Sequence, residues 1–507
     1  MPDSTAAPAA PITVTADDPR YPNLVESYNH RFVGRPEAIR FARSTTDVVS
    51  AVEAAVAAGK RIAVRSGGHC FEDFTSSPDV RVLLDLSLMN AVGFDERMRA
   101  FGVEAGATLG DVYRTLYTLW GVTVPGGTCL EVGAGGHFSA GGYGHLSRRD
   151  GLVVDHLSAI EVVVVDASGR ARAVVATRDA DDPHRDLWWA HTGGGGGSFG
   201  VITRYWLRTP GRDPGGDPAS LLPAAPTRMR RRVVTWPWDG MTEGSFTTLL
   251  RNYCGWYEDH TDPDSPAANL WNNLIVPHRS SGAFGMTAVL DDDTPGSAAL
   301  LAEQFARITD GVGVAPVADE LDVVPWWSAW MPSYDWPSDP RGRYKNKAGY
   351  LRRGFTERQL DVLHCFLGAQ DCPTPSGCLV LTGFGGRVNT VPSDATATAQ
   401  RDSILKASYS TGVWQSERQD AANIAWVRAF YREMYADTGG VPVPGDTADG
   451  SYIGYPDVDL ADPAWNTSGV PWHDLYFKDN YPRLQAVKRR YDPRDVFRHA
   501  LSVRLPA

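Results

Sequence analysis

Val64-Arg65-Ser66-Gly67-Gly68-His69-Cys70 and Gly126-Gly127-Thr128-Cys129-Leu130-Glu131-Val132-Gly133 are the two stretches on which the reading of this chain turns. They set one histidine and one cysteine sixty residues apart, each inside a run of small residues. Glycine adopts turns that strain other residues and lets backbone approach a flat ligand, so both runs read as walls of a binding site. Taken singly, His69 also reads as a core histidine after a strand, and Cys129 as a small buried hydrophobe. The flanking sequence decides between these readings.

Along the chain follow Gly133-Ala134-Gly135-Gly136-His137, Gly141-Gly142-Tyr143-Gly144 and Gly151-Leu152-Val153-Val154-Asp155. Leu187-Trp188-Trp189 then leads into Gly193 to Gly197 and Ser198-Phe199-Gly200-Val201-Ile202-Thr203. At the far end stand Tyr452-Ile453-Gly454-Tyr455-Pro456-Asp457, Asn480-Tyr481-Pro482-Arg483-Leu484 and Val487-Lys488-Arg489-Arg490-Tyr491-Asp492-Pro493. In this order and register the set resembles the berberine bridge enzyme-like FAD-linked oxidases, from about Pro36 to the C-terminus. The look is closest to bacterial oxidases that tailor natural products.

The resemblance implies an α+β fold of two lobes: a VAO/PCMH-type FAD-binding domain and a substrate domain with a large antiparallel sheet and helices. It implies FAD carried covalently on a ring nitrogen of His69 and the sulfur of Cys129. It also implies cofactor contacts along Arg65, Ser66, Gly67 and Gly68, then Val132, Gly133, Gly136 and His137. Further contacts are expected at Gly141, Gly142, Gly144 and Val154, and at Gly200, Val201, Ile202, Tyr455 and Asn480.

Composition bounds the partners. Lys plus Arg number 49 against 60 Asp plus Glu, a net charge of −11, with no basic cluster suited to phosphate neutralisation. A small-molecule substrate is expected, and no nucleic acid. Met1 to Asp18 has neither a basic n-region nor an apolar h-region, and reads as a disordered tail. No apolar run is long enough for a membrane helix, since even Val48 to Ala58 is broken by Glu53. A soluble cytoplasmic protein, monomer or homodimer, is therefore expected, and Asn466-Thr467-Ser468 is taken as a fortuitous glycosylation pattern. Cys365, Cys372 and Cys378 fit no zinc spacing and read as core thiols, with no metal site anticipated.

Periodicity and a Pro- and Gly-rich break divide the chain into a tail and lead-in over 1–35, a first unit over 36–210 and a second over 211–445; the resemblance implies that the first is the FAD-binding domain, the second the substrate domain, and that 446–507 returns to the first lobe. In the first lobe Thr46 to Ala58 is helical, and Arg61 to Val64, Val80 to Asp85, Ala159 to Asp166 and Val201 to Leu207 read as strands. Thr209 to Pro226 reads as a linker. Beyond it, strands over Arg232 to Thr235, Leu270 to Val276, Phe284 to Leu290 and Cys378 to Phe384 alternate with helices near Thr242 to Tyr257, Ser297 to Ile308, Thr356 to Gln370 and Ala421 to Tyr435. Gly195 to Gly200 matches Gly-x-Gly-x-x-Gly, but a strand-like run follows it where a Rossmann site needs a helix, so a nicotinamide reading is rejected.

A flavin brings its own redox chemistry, leaving the protein to supply orientation, tuning and a base. Oxidising an alcohol requires loss of the hydroxyl proton with the hydride, and a phenolate is a suitable acceptor once its pKa falls from about 10. Related oxidases put the base in the Tyr-x-x-Tyr segment, so Tyr452 is the first candidate, Tyr455 the second, and Tyr143 a further one by resemblance. Phe384 stands where relatives carry tyrosine before paired glycines, which argues for a single oxidation. Val132, small and β-branched, goes in the family with oxygen access, so O2 is the expected acceptor.

Trp326, Trp327, Trp330, Tyr334 and Trp336, followed by Arg341, Arg343, Lys345, Lys347, Arg352 and Arg353, offer aromatic faces for sugar or polyketide rings. Packing between lobes with a solvated charge run is an equal alternative. The leading expectation is an oxidase of a hydroxyl or hemiacetal on a sugar-bearing or polyketide natural product. A carbohydrate oxidase forming lactones and a non-catalytic flavin-binding protein remain as alternatives.

Overall fold

Short β-branched runs cannot hold together as isolated hairpins, and in the computed structural model, which describes residues 12–331, 342–370 and 376–506, the first half of the chain gathers them into two sheets. β1 (Ile12–Thr15), β2 (Ala38–Phe41), β3 (Ile62–Arg65) and β4 (Val82–Asp85) form one sheet in the order β1-β2-β4-β3. β1 is antiparallel to β2, whereas β4 runs parallel to both β2 and β3. The helix Thr45–Ala57 links β2 to β3. Its N-terminus is capped by the Ser44 side chain, which accepts from the Asp47 amide, and Val48, Ala51, Val52 and Ala55 turn inward at helical spacing.

β5 (Val92–Asp95), β6 (Ala100–Glu104), β7 (Leu157–Val165), β8 (Ala171–Thr177) and β9 (Val201–Leu207) make an antiparallel sheet in the order β5-β6-β9-β7-β8. β9 begins directly after Gly200, so the glycine run enters a strand and no helix.

The second half contributes β10 (Arg228–Pro237), β11 (Trp271–Pro277), β12 (Ala283–Asp291), β13 (Ala318–Pro325), β14 (Asn346–Leu351), β15 (Cys378–Gly383) and β16 (Leu405–Ser410). They form one antiparallel sheet in the order β13-β10-β12-β11-β15-β16-β14. This is the large antiparallel sheet expected from the sequence. Period-2 alternation splits it into two faces. Asn272, Leu381 and Tyr409 meet helices: the hydroxyl of Tyr253, from helix Glu243–Asp259, donates to Asn272 Oδ1 at 2.7 Å and lies 3.1 Å from the Leu381 carbonyl, and Tyr409 packs on Phe430 of helix Asp420–Met434. The alternate residues Trp271, Asn273, Thr382, Lys406, Ser408 and Asn346 face a cavity.

The C-terminal helix Tyr481–Tyr491 packs beside the short helix Arg185–Ala190. Buried Lys488 donates to the carbonyls of Ser198 and Phe497 at 2.8 and 2.6 Å and pairs with Asp492 at 2.6 Å. The last residues are thereby fastened to the glycine-rich segment that precedes β9.

Four expectations are corrected. The tail predicted over Met1 to Asp18 is ordered from Ile12, because Val14 is fully buried in a strand paired to β2. The basic run is not solvated throughout: Lys345 and Lys347 are buried among carboxylates, whereas Arg353 is exposed. Cys365 lies exposed on helix Glu357–Gly368 and is no core thiol. Strands β13, β14 and β16 were not anticipated, since their short, largely polar runs carry no extended apolar signal. Tyr334, Trp336, Arg341 and Cys372 lie outside the described residues. Among the described residues, no helix is long and apolar enough to cross a membrane.

Candidate active site

Two loops that follow short strands come together because their backbones lack side chains at the contact. A Cβ on Gly67 would sit 2.3 Å from the Gly133 nitrogen, and one on Gly133 would sit 2.1 Å from Ser66 Oγ. Gly68 has φ +76°, a left-handed conformation that favours glycine. Arg65 anchors the first loop by donating to Asp85 Oδ2 at 2.7 Å and the Glu26 carbonyl at 3.1 Å, and Ser66 Oγ donates to the Ala105 carbonyl at 2.6 Å. Behind the second loop, the Gly127 amide donates to His137 Nε2 at 2.9 Å, and the Tyr113 hydroxyl to the Gly127 carbonyl at 2.6 Å.

These loops and the polar face of the seven-stranded sheet enclose a cavity of about 490 Å³. His69 and Cys129 both line it, with Arg65, Ser66, Gly67, Gly68, Val132, Gly133, Gly136, His137, Gly144, Gly200, Val201 and Ile202. Tyr143, Tyr452 and Tyr455 line it as well. The His69 ring stacks on Tyr28, centroids 4.3 Å apart, and burial lowers its pKa to about 4, so the imidazole is neutral at physiological pH. Cys129 is in no disulfide.

Four residues expected to contact the cofactor are not among those that line this cavity. Gly141 and Gly142 have positive φ, and their carbonyls accept from the amides of Val154 and Val153, closing a turn. Val154 is buried in an apolar cluster with Tyr350, Phe384 and Tyr452. Asn480 spends its amide on the carbonyls of Ser393 and Thr396, tying down a neighbouring loop.

The tyrosines form one array. The Tyr143 and Tyr455 hydroxyls are hydrogen-bonded at 2.7 Å, and the Tyr452 ring stands 5.3 Å from each of their rings. The sequence reading missed the group that organises them: Lys406, only 1 % exposed, whose Nζ has no hydrogen-bond partner. It lies 3.5 Å from the Tyr143 ring centroid, 3.8 Å from that of Tyr455 and 5.1 Å from that of Tyr452. Burial pushes the Lys406 pKa well below its ordinary value and raises both Tyr452 and Tyr455. A desolvated cation–π contact offers about 2 kcal/mol, against an effective penalty of several kcal/mol for burying an isolated ion. The ring faces alone therefore do not settle the ammonium, whereas a neighbouring phenolate would. The Gly142 amide, directed at the Tyr452 oxygen, favours that anion.

Trp271, Asn273, Thr382, Ser408, Asn346 and Tyr344 also line the cavity and were not foreseen. The alternation in Leu405-Lys406-Ala407-Ser408-Tyr409-Ser410 was the available signal: every second residue polar, with a lysine among them. Trp326 and Trp330 are buried, and Trp326 Nε1 donates to His145 Nε2 at 3.2 Å, so this part of the aromatic stretch packs between lobes.

The residues present fit FAD. The cavity runs along glycine-walled backbone, and a Cβ at Gly136 would meet open space. Lys406 Nζ, Asn346 Nδ2 and the Tyr344 hydroxyl are buried polar atoms at its wall with no protein partner, which a polar ligand would satisfy.

Comparison with known proteins agrees. An FAD binding domain family matches residues 36–174, and a family described as berberine and berberine like matches residues 451–504. The chain is 51% identical over 501 residues to the aclacinomycin-N/aclacinomycin-A oxidase of Streptomyces galilaeus, covering 99% of this chain and 91% of that protein. It is 30% identical over 537 residues to the hexose oxidase of Chondrus crispus, covering 96% and 93%. The crystal structure of a glycopeptide hexose oxidase complexed with teicoplanin superposes with a TM-score of 0.94 at 49% identity, over 98% of this chain and 100% of that one. With the cavity, the paired glycine loops and full-length identity of this order in agreement, the chain belongs to the berberine bridge enzyme-like family of FAD-linked oxidases.

Proposed function

We propose that this protein oxidises a hydroxyl or hemiacetal carbon of a sugar-bearing or polyketide natural product, with O2 as the final acceptor. The observation that carries this reading is the Lys406–Tyr143–Tyr455–Tyr452 array at the cavity that His69 and Cys129 also line. His69 and Cys129 are the two covalent tethers of the cofactor. Residues 36–210 are the FAD-binding unit, 211–445 the substrate unit, and 446–507 the returning segment that supplies the tyrosines.

FAD held by His69 and Cys129 would supply the hydride acceptor and the route by which O2 is reduced to hydrogen peroxide. The chain's own residues manage the proton. Tyr452 takes the proton of the substrate hydroxyl as hydride leaves the same carbon, so a secondary alcohol becomes a ketone and a hemiacetal a lactone. Lys406 balances the phenolate charge, and the Tyr143–Tyr455 hydrogen bond holds the neighbouring phenols in place. Tyr452 is preferred to Tyr455 because the Tyr455 hydroxyl is engaged with Tyr143, whereas Tyr452 faces the Gly142 amide. Phe384 is buried against Tyr350 and offers no second hydroxyl, which supports one oxidation.

The substrate class rests on the relatives: an oxidase named for aclacinomycin and a glycopeptide hexose oxidase solved with teicoplanin. Similarity to a hexose oxidase favours the second reading, lactone formation from free sugars. A peroxide-formation screen over free hexoses, oligosaccharides and glycosylated aromatic products separates them. Higher kcat/KM on glycosylated products supports the proposal, turnover of free sugars alone supports the second reading, and no flavin bleaching with any compound supports a binding protein without turnover.

A further inference from the structure

Two loops must keep one separation for the reaction above: the Ser66 to Glu72 loop carrying His69, and the Ser451 to Asp459 loop carrying Tyr452 and Tyr455. Among the described residues no β-ladder joins them. Buried charge joins them instead. Lys345 Nζ is 2.6 Å from Glu72 Oε1 and 2.7 Å from Asp457 Oδ1. Glu72 lies three residues after His69, and Asp457 two after Tyr455.

Lys347 extends the cluster, donating to Asp457 at 2.5 Å and Asp459 at 2.8 Å, and Arg428 pairs with Asp459 at 2.7 Å. Lys345, Lys347 and Arg428 thus face Glu72, Asp457 and Asp459, three cations against three anions, with the Arg31 field also felt at Glu72. Both lysines and all three carboxylates have side chains less than 5 % exposed. Such clusters stabilise little relative to apolar packing, because desolvation offsets the attraction, so net stability is a poor account of this one. What it does is geometric: Phe71, next to Glu72, stacks on Tyr455 at 5.0 Å, and the Val458 amide reaches Glu72 Oε1 at 3.4 Å.

We propose that Lys345 is a positioning residue: its buried ammonium, shared by Glu72 and Asp457, holds the His69 loop and the Tyr452–Tyr455 loop in register. The inference rests on the reading of His69 as tether and of this tyrosine pair as base. It concerns how those groups are held and adds no chemical step.

The decisive variant is Lys345→Met/Glu72→Gln, which removes the bridge and keeps the cluster charge-balanced. Two readouts apply: the fraction of protein with flavin attached at His69, measured by peptide mass, and anaerobic flavin reduction with aclacinomycin A or a free hexose as reductant. The expected result is a wild-type melting temperature, a His69-linked fraction at least about twofold lower, and a limiting reduction rate about 10- to 100-fold lower with unchanged substrate affinity, the scale of a misplaced reacting group. Arg428→Met unbalances the cluster by one charge without breaking the bridge, and its rate should stay within about twofold of wild type. Wild-type attachment and rate in the double variant overturn the proposal. If the double variant does not fold, Glu72→Gln, which keeps the shape, gives the same two readouts: a fall in both supports the proposal, and no change in either overturns it. If Tyr452→Phe and Tyr455→Phe both react at wild-type rate, the base reading is what fails.

Discussion

Lys406 Nζ stands 3.5 Å from the centroid of the Tyr143 ring, buried and, among the described residues, with no carboxylate paired to it. Among the described residues the phenol rings of Tyr143, Tyr455 and Tyr452 are its near neighbours, so proton affinity in this site belongs to the lysine and the tyrosines together. Burial alone would keep each neutral; as a pair, each makes the other's charged form less costly.

Replacing Lys406 by Met should therefore slow flavin reduction by about 10²-fold, the cost typical of losing one preorganised electrostatic partner. The same change removes a buried amine, so the melting temperature at neutral pH should rise. Stopped-flow reduction and calorimetry on one preparation check both, and a variant that is faster or equally fast removes Lys406 from the reaction.

Tyr452→Phe should slow reduction by about 10²–10⁴-fold with flavin still bound, as expected for loss of a positioned base. Damage from Tyr455→Phe alone would move the role to the phenol hydrogen-bonded to Tyr143.

Acid-precipitated protein should stay yellow, with flavin on peptides containing His69 and Cys129. His69→Ala and Cys129→Ala should each keep one tether, lower the reduction potential and slow reduction. Complete release of FAD from wild type by trichloroacetic acid would falsify the double attachment.

Val132 lines the cavity and hydrogen-bonds through its carbonyl to the Leu109 amide at 2.9 Å, which fixes its side chain beside the Cys129 loop. Close-packed walls admit little extra volume, so Val132→Leu should slow reoxidation of the reduced flavin by O2 far more than its reduction by substrate. Equal oxygen rates in the two proteins would end the gating role.

Burial lowers the pKa of His137 and His191 to about 4, and of His145 and His499 to about 3, from an ordinary value near 6.5. Between the folded and unfolded values the unfolded chain binds more protons, so stability rises with pH. This contribution is complete above about pH 6.5 and is lost as pH falls toward 4 and below. Urea midpoints measured from pH 7.5 down to 5, above most carboxylate titration, should fall steadily, and a flat profile would contradict buried neutral histidines.

Much of the first lobe was legible because its signals are local. Thr45–Ala57 shows its helical spacing and its Ser44 cap in fourteen consecutive letters, and Gly200 followed by β-branched residues announces β9. The second sheet was half legible: β10, β11, β12 and β15 carry apolar runs, whereas β16 alternates polar residues toward the cavity and β14 opens on two polar residues, of which Asn346 lines it. Lys345 and Lys347 looked like solvent-facing charge because the run around them, with Arg341, Arg343, Arg352 and Arg353, is basic. Their partners are Glu72, Asp457 and Asp459, brought in from both ends of the chain.

The chain's letters by themselves determined the family, the two tether candidates His69 and Cys129, and the tyrosine segment, since small-residue loops and motif order are properties of short stretches. Tertiary structure alone decided that Tyr143 and Tyr455, 312 residues apart, share a hydrogen bond, that Lys406 has three phenol rings for company, and that Gly141, Gly142, Val154 and Asn480 are not among the residues lining the cavity. The physical reason is the same in each case. Burial and electrostatic pairing depend on which distant segments a sheet brings face to face, and a period-2 strand shows only that it has two faces, not what lies opposite either one.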